Sequence, residues 1–180
     1  MSELIIGVSG VRGIIGDGLD SHAAERLAQA YAAMLGKPGR VVLARDSRPS
    51  GAELAETVGT ALVEMGFELI DLGIVTTPGA ALMTIEEKAD GAVVITASHN
   101  PSQWNGLKFL GPDGLGLSAE DMAELRRMFH DKSFRRSPAD KEGQDVAGGG
   151  PCEAPLCAQL QGHKVDPGPD CPIVLGGPGD

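Results

Sequence analysis

Ser98 and His99 stand side by side in Thr96-Ala97-Ser98-His99-Asn100-Pro101, and Lys108 follows a short way on. A serine hydroxyl is a weak nucleophile at its own pKa and needs a neighbouring base or an electrostatic trap. Histidine is such a base. Lysine is a compact cation that suits a phosphate and moves protons when its pKa is lowered. Two earlier segments add guanidinium groups: Arg12 in Ser9-Gly10-Val11-Arg12-Gly13, and Arg48 in Arg45-Asp46-Ser47-Arg48-Pro49-Ser50-Gly51. Glycines around Arg12 would let backbone N–H groups approach an anion closely. Asp46 and Arg48 read either as a local ion pair worth up to about 1 kcal/mol or as groups that orient the serine loop and a bound phosphate. The bland readings are a turn at Asn100-Pro101 and a solvated surface charge at Arg12. Gathered together, these groups suit a dianion, because charge-assisted hydrogen bonds to phosphate are the strong kind. They favour phosphoryl transfer through serine over acyl transfer. A serine hydrolase would carry a G-x-S-x-G elbow, whereas Ala97 precedes Ser98 and His99 follows it. A dinucleotide site would need a G-x-G start and an acidic residue closing the second strand, where Arg45 stands instead.

These residues must be held by an alternation of strands and helices. Leu4–Val8 is a short apolar run that reads as a strand, followed by a glycine-rich loop over Ser9–Gly18. Asp20 or Ser21 caps a helix to about Leu35, with Ala24, Leu27, Ala28 and Tyr31 at helical spacing. Val41–Ala44 is a second strand. Ser50-Gly51-Ala52-Glu53 has the S-x-x-E capping pattern and opens a helix to about Met65, so Ser50 reads as a cap rather than a catalyst. Phe67–Leu72 is a third strand, and Thr77-Pro78 opens a helix to about Lys88. Gly91–Ile95 and Gly106–Leu110 are the fourth and fifth strands, and Ser118 caps a last helix towards Phe129. The pattern predicts an α/β fold with a mainly parallel sheet and helices on both faces. Ligands bind beyond the carboxyl ends of such strands, so the loops Ser9–Gly18, Arg45–Gly51 and Thr96–Gly106 are expected to converge at one sheet edge.

Composition narrows the function classes. The chain has 180 residues and a formal net charge of −10, which argues against binding a nucleic-acid backbone. Aromatic residues are 3 % of the chain, too few for a base-stacking platform. No apolar run approaches the roughly 18–20 residues of a membrane span, and no basic segment precedes an apolar one as in an export signal. A break falls near residue 137. All three cysteines and seven of the 12 prolines lie after it, and Phe134 is the last aromatic. Residues 1–137 therefore read as the folded domain, and 138–180 as an irregular tail or the product of a frameshift. Cys152, Cys157 and Cys171 with His163 invite a zinc reading, but the C-x4-C spacing is loose and no second pair follows. An odd cysteine count without an export signal favours reduced thiols and a cytoplasmic location.

Three segments resemble, in order, motifs of the first domain of the α-D-phosphohexomutases. The phosphoserine signature is matched by Thr96-Ala97-Ser98-His99-Asn100-Pro101 with Asn105-Gly106-Leu107-Lys108. Ser9-Gly10-Val11-Arg12-Gly13 and Arg45-Asp46-Ser47-Arg48-Pro49-Ser50-Gly51 match two more, and the resemblance covers about Leu4 to Phe134. It implies a three-layer α/β/α first-domain fold with a mainly parallel, mixed sheet. It also implies a magnesium-dependent mutase that moves phosphate between the 1- and 6-positions of a hexose or hexosamine. Ser98 would carry the phosphate, pass it to the sugar to give a bisphosphate, and take back the other one. Arg12 and Lys108 would flank it, with Lys108 an acid/base, and His99 would help hold the loop. Asp46, Arg48 and Asn100 would bind phosphate or position the loop, and a phosphoryl oxygen on Ser98 would be a Mg²⁺ ligand. Ser102-Gln103-Trp104 leans towards the phosphoglucosamine and phosphomannomutase branches. The family's D-G-D-G-D-R metal loop is missing, as are its sugar-reading and phosphate-clamp domains, and Asp166, Asp170 and Asp180 lack the spacing. The chain is therefore expected to be inactive alone and to self-associate through an uncovered domain interface. The alternative is a non-catalytic α/β module that binds a sugar phosphate or a protein.

Overall fold

The computed structural model describes residues 4–131; Phe134 and the tail with its cysteines, His163 and aspartates lie outside them. Seven strands and four helices follow one another as β1 (Ile5–Gly7), β2 (Gly10–Ile15), β3 (Gly18–Leu19), α1 (Ser21–Leu35), β4 (Arg40–Arg45), α2 (Gly51–Glu64), β5 (Glu68–Ile74), α3 (Thr77–Glu86), β6 (Gly91–Ile95), β7 (Trp104–Leu110) and α4 (Ala119–Asp131). The strands form one sheet in the order β1-β2-β7-β6-β4-β5, with β3 beside β2. β5, β4 and β6 are parallel, whereas β7 pairs antiparallel with both β6 and β2. No described helix is long and apolar enough to cross a membrane.

Alternation along the strands builds two cores. Val41, Leu43, Val93, Ile95, Leu107 and Phe109 point to the face covered by α1, α2 and α4. Val42, Ala44, Val94 and Leu110 point to the other face, where α3 supplies Ala80. Both sides of each central strand are thus buried, as expected of near-continuous apolar runs. On α1, the spaced Ala24, Leu27, Ala28 and Tyr31 are all fully buried. The Tyr31 hydroxyl donates to Leu110 O at 2.7 Å, and burial pushes its pKa well above the ordinary tyrosine range. The three-layer α/β/α arrangement with a mixed sheet is the one anticipated above.

Four local expectations are corrected. The glycine-rich segment Ser9–Gly18 is no loop: it contains β2, paired on both sides, with β1 closing on it as a hairpin. Gly10 and Gly13 serve close strand approach. Gly10 has φ +113°, and a Cβ there would lie 2.5 Å from Leu107 O. The capping box at Ser50 does not form: Ser50 makes no side-chain cap bond, and Glu53 instead accepts from the Ser21 hydroxyl. The cap of α3 is Thr76 rather than Thr77, its hydroxyl oxygen accepting from Gly79 N. Lastly, β7 starts at Trp104, so the serine loop is shorter than Thr96–Gly106.

Candidate active site at the sheet edge

The loop leaving β6 carries the serine. The strand is apolar and wholly buried through Ile95. Thr96 and Ala97 remain buried, and Ser98 and His99 are the first exposed residues. Ser98 has φ +55°, one of two non-glycine residues with positive φ among those described. Such a conformation persists only where its surroundings hold it, and functional sites are where it concentrates.

The holding groups come from the loop after β4. Arg48 spends all five guanidinium N–H donors. Its Nε donates to Asp46 Oδ2 at 3.1 Å, its Nη1 to Pro101 O at 2.9 Å and Trp104 O at 3.1 Å, and its Nη2 to Ser98 O at 2.9 Å and Asn100 O at 2.7 Å. Nothing of that fork is left for a ligand. The Asp46–Arg48 pair is therefore no idle surface ion pair; the Arg48 side chain is only 13 % exposed. Asp46 is equally committed. Its Oδ1 accepts from Arg48 N, and its Oδ2 also accepts from the Thr96 hydroxyl at 2.7 Å. Thr96 Oγ1 in turn accepts from Ser98 N at 2.9 Å.

β2 and β7 bring up the cations. Val11 pairs with Leu107, and both enter the α1/α2/α4 core. Their neighbours Arg12 and Lys108 consequently point to the opposite face. Arg12 pairs with Gly106, over which its side chain lies, and Gly106 O accepts from Thr96 N. This puts Arg12 level with the start of the serine loop, where its Nη1 donates to Asn100 Oδ1 at 3.2 Å. The ion pairs among the described residues engage Arg40, Arg48 and Arg127. Arg12 and Lys108, both half-buried, have no carboxylate partner there. The His99 ring is exposed, its Nδ1 3.5 Å from Ser98 Oγ, so the closer bonds on the loop come from Arg48 and Thr96.

Two residues of the site were not singled out by sequence reasoning. Thr96 is the hinge of the hydrogen bonds around Ser98. Asn105 is fully buried; it donates from Nδ2 to Ser50 Oγ at 2.9 Å and accepts from Gly106 N, tying β7 to the start of α2. A polar residue inside an otherwise apolar strand was the available signal for Asn105.

The donors for magnesium are another matter. Among the described residues no cluster of three or more His, Cys, Asp or Glu is placed to hold a metal ion. Asp46, the carboxylate bonded within the serine loop, has both oxygens engaged by Arg48 and Thr96. A hard dication wants six or more oxygens, so these residues do not make its site.

Comparison with known proteins bears on the same stretch. Residues 3–136 match the family model described as phosphoglucomutase/phosphomannomutase, alpha/beta/alpha domain I. A phosphoglucomutase/phosphomannomutase of Thermococcus kodakarensis is 37 % identical over 144 residues, covering 78 % of this chain and 32 % of the relative. A phosphoglucosamine mutase of Pediococcus pentosaceus is 44 % identical over 125 residues, covering 66 % and 28 %. The crystal structure of a phosphoglucomutase/phosphomannomutase family protein from Burkholderia thailandensis superposes with a TM-score of 0.62 at 29 % identity, covering 72 % of this chain and 31 % of that one. The chain thus spans about a third of the length of the relatives it matches. With the family model covering most of its length and the fold agreeing, the chain belongs to the phosphoglucomutase/phosphomannomutase family, whose α/β/α domain I it carries.

Proposed function

We propose that this chain carries the phosphoryl-transfer half-site of a phosphohexomutase, with Ser98 as phosphate carrier, and that alone it turns over no hexose or hexosamine phosphate. One observation carries the reading. Arg12 reaches the serine loop through Asn100, and Lys108 shares its sheet face two residues beyond Gly106, both without carboxylate partners among the described residues, in a chain of net charge −10 whose Ser98 is exposed and left-handed. Unneutralised cations on the face that leads to an exposed hydroxyl suit a dianion.

In this reading Arg12 and Lys108 neutralise the phosphoryl oxygens. As the bond from Ser98 Oγ to phosphorus breaks, the bond from a sugar hydroxyl to phosphorus forms, and the hydroxyl proton ends on Ser98 Oγ by way of Lys108. The bisphosphate then returns its other phosphoryl group by the reverse step. Such a loose transition state asks for positioning and charge neutralisation. Asp46, Arg48 and Asn100 position the loop, and His99 lines its rim. Magnesium would need donors beyond these residues, with a phosphoryl oxygen carried by Ser98 offering one of them; the steps assigned to these residues use none.

Intact mass, before and after incubation with a hexose 1,6-bisphosphate, tests the carrier. The expected result is an added phosphoryl group of about 80 Da on Ser98 that is lost in Ser98→Ala. An unmodified residue 98 under both conditions overturns the assignment. Steady interconversion of glucose, mannose or glucosamine phosphates by the chain alone would overturn its inactivity.

The exposed apolar side chains of α3 bear on self-association. Leu82 and Ile85 of α3 are 64 % and 50 % exposed, and Leu115, in the turn packed beside Ile85, is 66 % exposed. Contiguous apolar surface of this kind drives association. Sedimentation velocity is expected to show concentration-dependent self-association. The double substitution Leu82→Glu and Ile85→Lys should weaken it by about tenfold or more, since a few central residues dominate an interface. A wild-type chain that stays monomeric at all concentrations refutes this.

A further inference from the structure

A closed ring of hydrogen bonds surrounds the backbone of Ser98. The Ser98 N–H donates to Thr96 Oγ1, and the Thr96 hydroxyl donates to Asp46 Oδ2. That same oxygen accepts from Arg48 Nε, and Arg48 Nη2 donates back to Ser98 O. Both backbone polar atoms of one residue are therefore held from one carboxylate–guanidinium pair, the carbonyl directly and the amide through a hydroxyl. Thr96 is only 6 % exposed, so its hydroxyl has little water to fall back on. A buried hydroxyl that both donates and accepts is also an expensive group to lose, because two partners are orphaned at once.

We propose that Thr96 is a positioning residue for Ser98: its hydroxyl relays the hold of Asp46 to the Ser98 amide and keeps the serine left-handed, with its own hydroxyl turned out of the sheet edge. The inference rests on the reading of Ser98 as phosphate carrier for its meaning, though not for its geometry. Valine at 96 keeps the shape and the β-branching while removing the hydroxyl. Serine at 96 keeps the hydroxyl while removing a methyl group. A role in packing alone would be served by valine and impaired by serine; a relay predicts the reverse. Asp46→Asn provides a second route: Asp46 reaches the Ser98 amide through Thr96 and the Ser98 carbonyl through Arg48, so the amide, read apart from the carbonyl, reports on the Thr96 branch.

The experiment uses the ¹⁵N-labelled full chain. In Thr96→Val the Ser98 amide resonance is expected to shift and its hydrogen exchange to speed up about tenfold, the effect of one lost buried hydrogen bond. Thr96→Ser is expected to restore both. Asp46→Asn should move the same amide in the same direction, and decides the matter if Thr96→Val does not fold. Phosphoryl uptake at residue 98 from a hexose 1,6-bisphosphate should fall in Thr96→Val and recover in Thr96→Ser. An unmoved Ser98 amide in the valine and asparagine variants, or a serine variant that behaves like valine, overturns the relay. Amide changes as expected in a chain whose Ser98 never takes phosphate would uphold the relay and sink the carrier reading instead.

Discussion

Arg48→Ala is expected to lower the unfolding free energy by about 3 kcal/mol, the low end of the range for removing one partner of a buried charged pair, because both side chains keep some exposure. The guanidinium is bonded to four carbonyl oxygens of the serine loop and to Asp46. Its removal orphans those carbonyls and leaves the Asp46 carboxylate half-buried without its cation. Arg48→Lys is the sharper variant. An ammonium keeps the charge but offers three donors from one point in place of a planar fork of five. It can face Asp46 or the carbonyls of the loop, but cannot span both, so it should recover less than half of the loss. Urea unfolding monitored through Trp104, at the loop's far end, measures both, with unchanged m-values as the sign that only stability has moved. A lysine variant within about 0.5 kcal/mol of wild type would mean that charge alone holds the loop, and would remove the geometric argument for Arg48.

That clamp marks where sequence reasoning stopped. Apart from β2 and β3, the order of strands and helices, the caps at Asp20 and Ser118, and the convergence of the serine loop with the Asp46–Arg48 loop followed from local periodicity and from the rule for parallel sheet edges. The roles inside the convergence did not. Asp46-Ser47-Arg48 read either as a local ion pair or as groups that orient the serine loop and a bound phosphate; the fork reaches carbonyls some 50 residues away and keeps no donor for a phosphate. Spacing along a chain carries no information about which backbone carbonyls a side chain will meet. The strand at Gly10–Ile15 was missed for a related reason. Glycine density normally signals a loop, yet Gly10 and Gly106 are required by close passage of neighbouring strands, a tertiary demand. Ser50 was misread because its own backbone is helical, φ −69° and ψ −12°, where a capping residue is extended, and its hydroxyl accepts instead from Asn105, distant in sequence.

Gly106 offers the most direct test of how the cationic side of the site is built. It sits in β7 opposite Arg12 and is wholly buried. A Cβ there would lie 2.4 Å from Val11 O, 3.0 Å from Thr96 O and 3.1 Å from Arg12 Cγ. The first two are backbone atoms of β2 and of the serine loop, and neither can swing away as a side chain could. Gly106→Ala must therefore part β2 from β7 or push Thr96 outward, at a cost of about 3 kcal/mol, the upper part of the range for overpacking. Either movement displaces Arg12 relative to Ser98, so phosphoryl uptake at residue 98 should fall together with stability. Gly51→Ala is the matched control. The nearest atom to its Cβ would be Arg45 Cδ at an ordinary 3.5 Å, and alanine in a helix gains up to about 1 kcal/mol over glycine. The two substitutions add the same methyl group within one domain, yet thermal unfolding should separate them in opposite directions. If Gly106→Ala unfolds at the wild-type temperature and keeps its uptake, β2 and β7 have slack at this point, and the placement of Arg12 does not depend on their close approach.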